Sequence, residues 1–140
     1  MSNHGARGGE WFGEAKEGEN YGWKILGWGG TNYSGIPIGP KWKPGFTKAI
    51  HYWVPSIATS AITIYKGKEF SEWNGHALIT SLKDQSLRKL IFKDLSNVKE
   101  DIIFQKKIKI RGSNAEDLAK EILKFEHEYY PKIIFNLLNG

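Results

Sequence analysis

The 140-residue sequence contains no cysteine, which excludes both a disulfide framework and a thiolate metal centre. Its four histidines, His4, His51, His76 and His127, have no metal-ligand spacing and no serine or cysteine partner in a triad motif. No apolar run approaches the ~20 residues of a membrane-spanning helix, and nothing after Met1 reads as a signal peptide. The glycine-rich stretch from Gly5 to Gly13 lacks the Gly-Lys-Ser/Thr ending of a phosphate loop and follows no predicted strand. Heptads, low-complexity tracts and paired-carboxylate motifs do not stand out either.

The chain is instead rich in glycine and aromatic rings, with 16 glycines and 14% aromatic residues. Its length suits one modest domain, and 40% hydrophobic with 25% charged residues is ordinary for a globular protein. A formal charge of +5 raises a nucleic-acid reading, with Lys41, Trp42, Lys43, Phe46, Lys48 and Tyr52 as interleaved bases and rings. No recognised nucleic-acid motif accompanies them. The preferred reading is that the lysines solvate an outer face while the aromatics fill space between sheets.

Three regions follow one another. Residues 1–47 combine glycines and aromatics with Pro37, Pro40 and Pro44, which predicts long loops around one short strand near Trp23 to Trp28. Function concentrates in such loops. From Lys48 to Ile110, short β-prone runs recur at Ala49 to Val54, Ala61 to Tyr65, His76 to Thr80, Leu87 to Phe92 and Ile102 to Ile110. Turn signals at Lys66-Gly67-Lys68, Asn74-Gly75 and Lys93-Asp94-Leu95-Ser96-Asn97 separate them, which predicts an antiparallel sheet. From Gly112 onward the pattern changes. Ser113 and Glu116 suggest a capping box, and Leu118, Ile122, Phe125 and Tyr129 recur at helical spacing until Pro131, with an apolar tail from Ile133 to Leu138.

The segment Asn20-Tyr21-Gly22-Trp23 stands between His4-Gly5-Ala6-Arg7-Gly8-Gly9 and Asn32-Tyr33-Ser34-Gly35. Glycines framing aromatics let a backbone turn sharply and approach a ligand. With Tyr52-Trp53-Val54-Pro55-Ser56-Ile57-Ala58 and Ser81-Leu82-Lys83, these blocks resemble, in order, the C-terminal part of the glucose/sorbosone dehydrogenases. That family comprises soluble aldose sugar dehydrogenases that use pyrroloquinoline quinone (PQQ) and calcium on a six-bladed β-propeller. The resemblance implies an all-β fold, a partial propeller of about two blades over residues 1–111. Residues 112–140 read as a helical extension unlike the family, either a frameshifted or fused end or a cap over an open sheet edge.

The resemblance also implies site residues. Gly5 and Ala6 match a pair whose carbonyls bind the calcium that clamps PQQ; Ala6 stands where the family usually has proline. Carbonyl oxygens suit this hard cation. A second calcium in the family takes a tyrosine, matched by Tyr21, and a glutamate, for which Glu10 is one place early. By themselves Glu10, Glu14, Glu17 and Glu19 read as a solvated acidic loop. Tyr33 matches a tyrosine lying against the cofactor, while Asn32-Tyr33-Ser34 also fits a glycosylation sequon. Lys83 matches a lysine on a PQQ carboxylate. Lys107 and Lys109, in Lys107-Ile108-Lys109-Ile110-Arg111, stand where the family has arginines, and a lysine lacks the bidentate fork.

The family's catalytic base, a histidine that takes the proton from the sugar C1 hydroxyl, has no counterpart among the four histidines here. The expectation is a propeller portion with an aldose sugar as substrate, completed by a missing N-terminal segment. Family members are usually periplasmic or secreted. The alternative is a non-catalytic remnant that binds carbohydrate or a protein partner.

Overall fold

The structure, a computed structural model, describes residues 1–94, 96–105 and 114–139. Three short strands, β1 (Ser2–Asn3), β2 (Glu10–Phe12) and β3 (His51–Trp53), form an antiparallel sheet in that order. Four more, β4 (Thr59–Ile64), β5 (Ala77–Ser81), β6 (Ser86–Asp94) and β7 (Asn97–Gln105), form an antiparallel meander. A C-terminal helix, α1 (Ala115–Asn139), follows. The mostly antiparallel body with one terminal helix agrees with the sequence-based expectation.

The meander follows from period-2 patterning. Ala77, Ile79 and Ser81 of β5 and Ser86, Arg88 and Leu90 of β6 are buried, while the residues between them are half-buried. Register pairs Ala77 with Leu90 and Ser81 with Ser86. Ile79 and Leu90 are wholly buried and pack with Ala77, Phe12, Trp53 and Ile57 in a core that joins the two sheets. Full burial of such an aliphatic side chain stabilises by about 1.5–3 kcal/mol. Because β2 alternates, Trp11 faces away from Phe12 and forms a second cluster with Leu26 and Trp28 under the glycine-rich loops.

Several local expectations are corrected. Trp23 to Trp28 is not a strand: Ile25 and Leu26 both donate to the Gly22 carbonyl, at 2.9 and 2.8 Å, and the backbone turns through positive φ at Gly22, Lys24 and Trp28. Its Leu26 and Trp28 are spent on packing against Trp11 rather than on strand pairing, while Trp23 and Ile25 are exposed. Conversely, β2 lies in a region read as loop, because three residues between glycines carry too little alternation to register. Pro131 does not stop the helix, which runs through it to Asn139 and absorbs the supposed tail. A proline removes one helical hydrogen bond, and a helix with about four turns before it and two after it survives that loss.

The helix is capped by Asn114: its Oδ1 accepts from the Asp117 N–H at 2.9 Å, and its Nδ2 donates to Asp117 Oδ2 at 3.0 Å. Ser113 of the expected capping box lies outside the described residues, as do residues 106–110 of the last predicted strand and the 111/112 domain boundary. Helix and sheet meet where Tyr129 approaches Phe104, with ring centroids 6.2 Å apart.

Candidate functional site

Glu10 opens β2 and is completely buried, contrary to its reading as part of a solvated acidic loop. Its Oε1 accepts hydrogen bonds from Ser56 Oγ at 2.7 Å and from the Ala58 N–H at 2.9 Å. Its Oε2 accepts from the Ile57 N–H at 2.7 Å. One side chain therefore fixes residues 56–58, the link between the two sheets, and satisfies backbone donors that no strand ladder serves.

Four loops meet at this end of the sheets. Gly9 N–H donates to the Trp53 carbonyl at 2.8 Å, and Arg7 N–H to the Thr31 carbonyl at 3.0 Å. The 5–9 and 27–30 segments touch backbone to backbone. A Cβ on Gly9, whose φ is +80°, would fall 2.0 Å from the Gly27 carbonyl oxygen, and one on Gly30 2.0 Å from that of Gly8. On the far side of the 54–58 link, Leu82 N–H donates to the Ala58 carbonyl at 2.9 Å and Lys83 N–H to that of Ile57 at 3.1 Å. Lys83 is thus in the four-residue turn between β5 and β6, two residues beyond Ser81, the last of β5, and its side chain is exposed.

Beside Lys83 runs a cleft of about 570 Å³, lined among others by His51, Trp53, Asp84, Arg88 and Glu100. Arg88, 8% exposed, donates from Nε to Ser86 Oγ at 2.8 Å, from Nη1 to Glu100 Oε1 at 2.8 Å and from Nη2 to Asp84 Oδ2. Trp53 Nε1 donates to Glu100 Oε1 at 2.8 Å, and His51 Nε2 stands 3.7 Å from Glu100 Oε2. The network spans both sheets. Burial pushes the Glu100 carboxyl up, but the His51, Arg88 and Trp53 donors together outweigh it and hold the group down to about 2. Asp84 likewise lies below its ordinary range, with burial outweighed by Ser81, Ser86 and Arg88. For Arg88 burial favours proton loss, and the two carboxylates more than reverse that.

The sequence-predicted residues fare differently. Gly5, Ala6, Tyr33 and Lys83 all lie on segments that converge at this rim. Among the described residues no hydrogen bond is donated to the carbonyl of Gly5 or of Ala6, which leaves two oxygens of the kind calcium takes. Tyr33 tips a loop closed by Asn32 N–H on the Ile36 carbonyl at 2.8 Å, and its ring is 75% exposed. Glu10 and Tyr21 do not face each other. The Tyr21 ring stacks on Trp11, 5.2 Å between centroids, and so lies on the opposite face of β2 from Glu10, whose oxygens are already engaged. The Tyr21 hydroxyl donates to the Glu14 carbonyl, although Tyr21 and Gly5 do line a common cavity of about 180 Å³. No cluster of three or more histidines and carboxylates with metal-site geometry occurs among the described residues. Lys107, Lys109 and Arg111 lie outside the described residues.

Sequence reasoning missed Arg88, Asp84, Glu100 and the anchoring role of Glu10. One signal was present: Arg88 stands two residues from both Ser86 and Leu90, on the buried face of its strand. In the basic segment, Lys41, Lys43 and Lys48 lie over the rings of Tyr52, Phe46 and Trp42 at 4.8, 5.3 and 4.6 Å, so these cations are directed at the chain's own aromatics.

Comparison with known proteins places the chain. A sequence model described as glucose/sorbosone dehydrogenase matches residues 1–117. Over 91 residues the chain is 35% identical to aldose sugar dehydrogenase YliI of Escherichia coli (strain K12), covering 62% of this chain and 24% of that protein. It is 32% identical over 90 residues to the uncharacterized protein slr1608 of Synechocystis, covering 64% and 22%. A glucose dehydrogenase crystal structure superposes with a TM-score of 0.64 at 33% identity, covering 72% of this chain and 30% of that one. The soluble aldose sugar dehydrogenase of Escherichia coli, in its apo-form, gives 0.62 at 32% identity, covering 72% and 29%. The chain thus spans about a quarter of the length of the curated relatives it matches. With the ordered sequence blocks, the antiparallel body and these matches agreeing, the chain belongs to the glucose/sorbosone dehydrogenase family.

Proposed function

We propose that the two sheets are adjacent blades of a propeller-type aldose sugar dehydrogenase, and that their loop rim carries part of a PQQ and calcium site. The observation that supports this most is a chain of backbone contacts. Gly5 and Ala6, the Tyr33 loop and Lys83 come from distant parts of the sequence, yet Arg7 bonds Thr31 at the base of the Tyr33 loop, Gly9 bonds Trp53 at the end of β3, and Leu82 and Lys83 bond Ala58 and Ile57 just beyond it. In this reading the Gly5 and Ala6 carbonyls hold calcium, and the exposed Lys83 ammonium meets a carboxylate of the cofactor. Tyr33 offers a ring to a planar ligand. When bound, PQQ supplies the two-electron acceptor for oxidation of the sugar C1 hydroxyl. Lys107 and Lys109 stay assigned to the cofactor by resemblance alone. No described residue is assigned as the base, so sugar turnover requires a group beyond those described. Glu10 is reassigned from metal ligand to anchor of the rim.

One observation favours a second reading, in which the rim binds carbohydrate or a protein partner without catalysis. Trp23 and Tyr33 are 78% and 75% exposed, and exposed rings stack readily on sugars and on partner surfaces.

Titration of the chain with PQQ, with calcium present and then chelated, separates the two by tryptophan fluorescence. The expected result is saturable binding that chelation abolishes and that Lys83→Ala weakens about tenfold, as loss of one charge-assisted contact does. Binding of an aldose, with no response to PQQ and indifference to both calcium and Lys83→Ala, would favour the second reading and sink the first.

A further inference from the structure

We propose that Arg88 is a positioning residue that clamps the Leu82–Gln85 turn and thereby sets where Lys83 stands. What Lys83 meets there rests on the cofactor reading above; the clamp itself does not.

The turn needs holding. Four-residue connections between strands favour glycine or asparagine where the backbone must take positive φ, yet this one reads Leu82-Lys83-Asp84-Gln85, and Gln85 adopts φ 53°. A non-glycine residue in that region persists where its surroundings over-determine it. Asp84 is the handle. Its Oδ1 accepts from Ser81 Oγ and from Ser86 Oγ, the latter at 2.8 Å, so one carboxylate oxygen ties the last residue of β5 to the first of β6. Its Oδ2 accepts from Arg88 Nη2. Its backbone carbonyl accepts from Gln105 Nε2 at 3.0 Å.

Arg88 supplies the rigid end of this handle. A buried cation is costly unless paired and hydrogen-bonded, and here each guanidinium nitrogen donates within the chain, to Ser86, Glu100 and Asp84. With three of its five N–H donors engaged, one on each nitrogen, the guanidinium is held in place by the chain itself. Its planar fork aims two directions at once, toward Glu100 in β7 and toward Asp84 in the turn. Glu100 in turn receives Trp53 Nε1 from β3, so the turn is referenced to both sheets. With Asp84 fixed, the Leu82 and Lys83 amides stay seated on the Ala58 and Ile57 carbonyls. The Lys83 backbone is thereby held against the same link that Glu10 anchors.

Amide hydrogen exchange on the full chain tests this without any ligand. Arg88→Met should speed exchange at Leu82 and Lys83 by about 10- to 100-fold, the range for loss of a charge-assisted pair. The β5–β6 ladder around Ile79 and Leu90 should change little. Arg88→Lys, which keeps the charge and loses the fork, should not restore protection. If Arg88→Met does not fold, Asp84→Asn, which leaves the Arg88–Glu100 pair in place, should open the same two amides. Unchanged protection at Leu82 and Lys83, or a uniform loss over both sheets, would overturn the clamp. A PQQ titration then tests the consequence. Arg88→Met should weaken binding in the wild-type background and have no further effect beside Lys83→Ala, whereas additive losses would overturn action through Lys83. A wild-type chain that binds no PQQ removes the cofactor reading, and the exchange result alone then judges the clamp.

Discussion

Replacing Glu10 by glutamine exchanges one oxygen for an NH2 group and should cost much of the stability of the rim. The carboxylate offers four lone-pair positions and serves three donors, Ser56 Oγ, Ile57 N–H and Ala58 N–H. Glutamine keeps one oxygen. Placed at the Oε1 position it retains Ser56 and Ala58, and the new NH2 then points at the Ile57 N–H, donor against donor. The loss comprises a charge-assisted hydrogen bond, about 1.5–3 kcal/mol, within which the desolvation of an unpaired buried N–H is the larger share. Weakening of the two retained bonds, now to a neutral acceptor, brings the total to roughly 3 kcal/mol. For a chain of this size that is on the order of 10 °C in Tm. Urea unfolding followed by tryptophan fluorescence and circular dichroism measures it, with the slope against denaturant expected to stay constant. Ser56→Ala, which deletes one donor and leaves the carboxylate two, should cost only about 1 kcal/mol. A Glu10→Gln loss no larger than that of Ser56→Ala would refute the anchoring role.

Two further outcomes follow from the same geometry. Glu100 is held at about 2, below its ordinary 4.5, so its contribution is complete above about pH 4.5 and disappears as the pH falls toward 2; on the order of 2–3 kcal/mol is at stake. Thermal melts from pH 6 to 2 should show Glu100→Gln losing less stability over that window than wild type, and parallel curves would count against the network. Gly9→Ala meets both a positive φ and a backbone oxygen at 2.0 Å, whereas Gly35, at φ +89°, has open space around it. Gly9→Ala should therefore destabilise by more than about 3 kcal/mol and Gly35→Ala by about 1 kcal/mol, the backbone strain alone. Equal melting temperatures for the two variants would show that the loops give way.

The meander was legible because β5 and β6 keep a strict two-residue alternation over Ala77, Ile79 and Ser81 and over Ser86, Arg88 and Leu90. That same alternation carried an arginine inward, which residue type alone would place at the surface. The glycine-rich third was harder to read. A run such as Trp23 to Trp28 has strand-like composition, but its conformation is decided by what its Leu26 and Trp28 pack against, Trp11 with Tyr21, Phe46 and Tyr52, and such packing has no local signature. Glu10 illustrates the same limit from the other side. One acidic residue among four within ten positions carries nothing in the sequence to mark it as the one facing Ser56, Ile57 and Ala58. The block order names Gly5, Tyr33 and Lys83 for one site, and strand parity sets Glu10 and Tyr21 on opposite faces of β2, since adjacent residues of a strand face opposite ways.

The anchoring of residues 56–58 by a buried side chain bears on how anything binds at this rim. A connection between two sheets is ordinarily the place where a protein flexes, and a ligand that settles there must first still it, at a cost in entropy that weakens affinity and slows association. Here that ordering is complete once the chain has folded. A ligand arriving at the rim therefore meets a shape already set, and its encounter should proceed in a single kinetic phase whose rate scales with concentration.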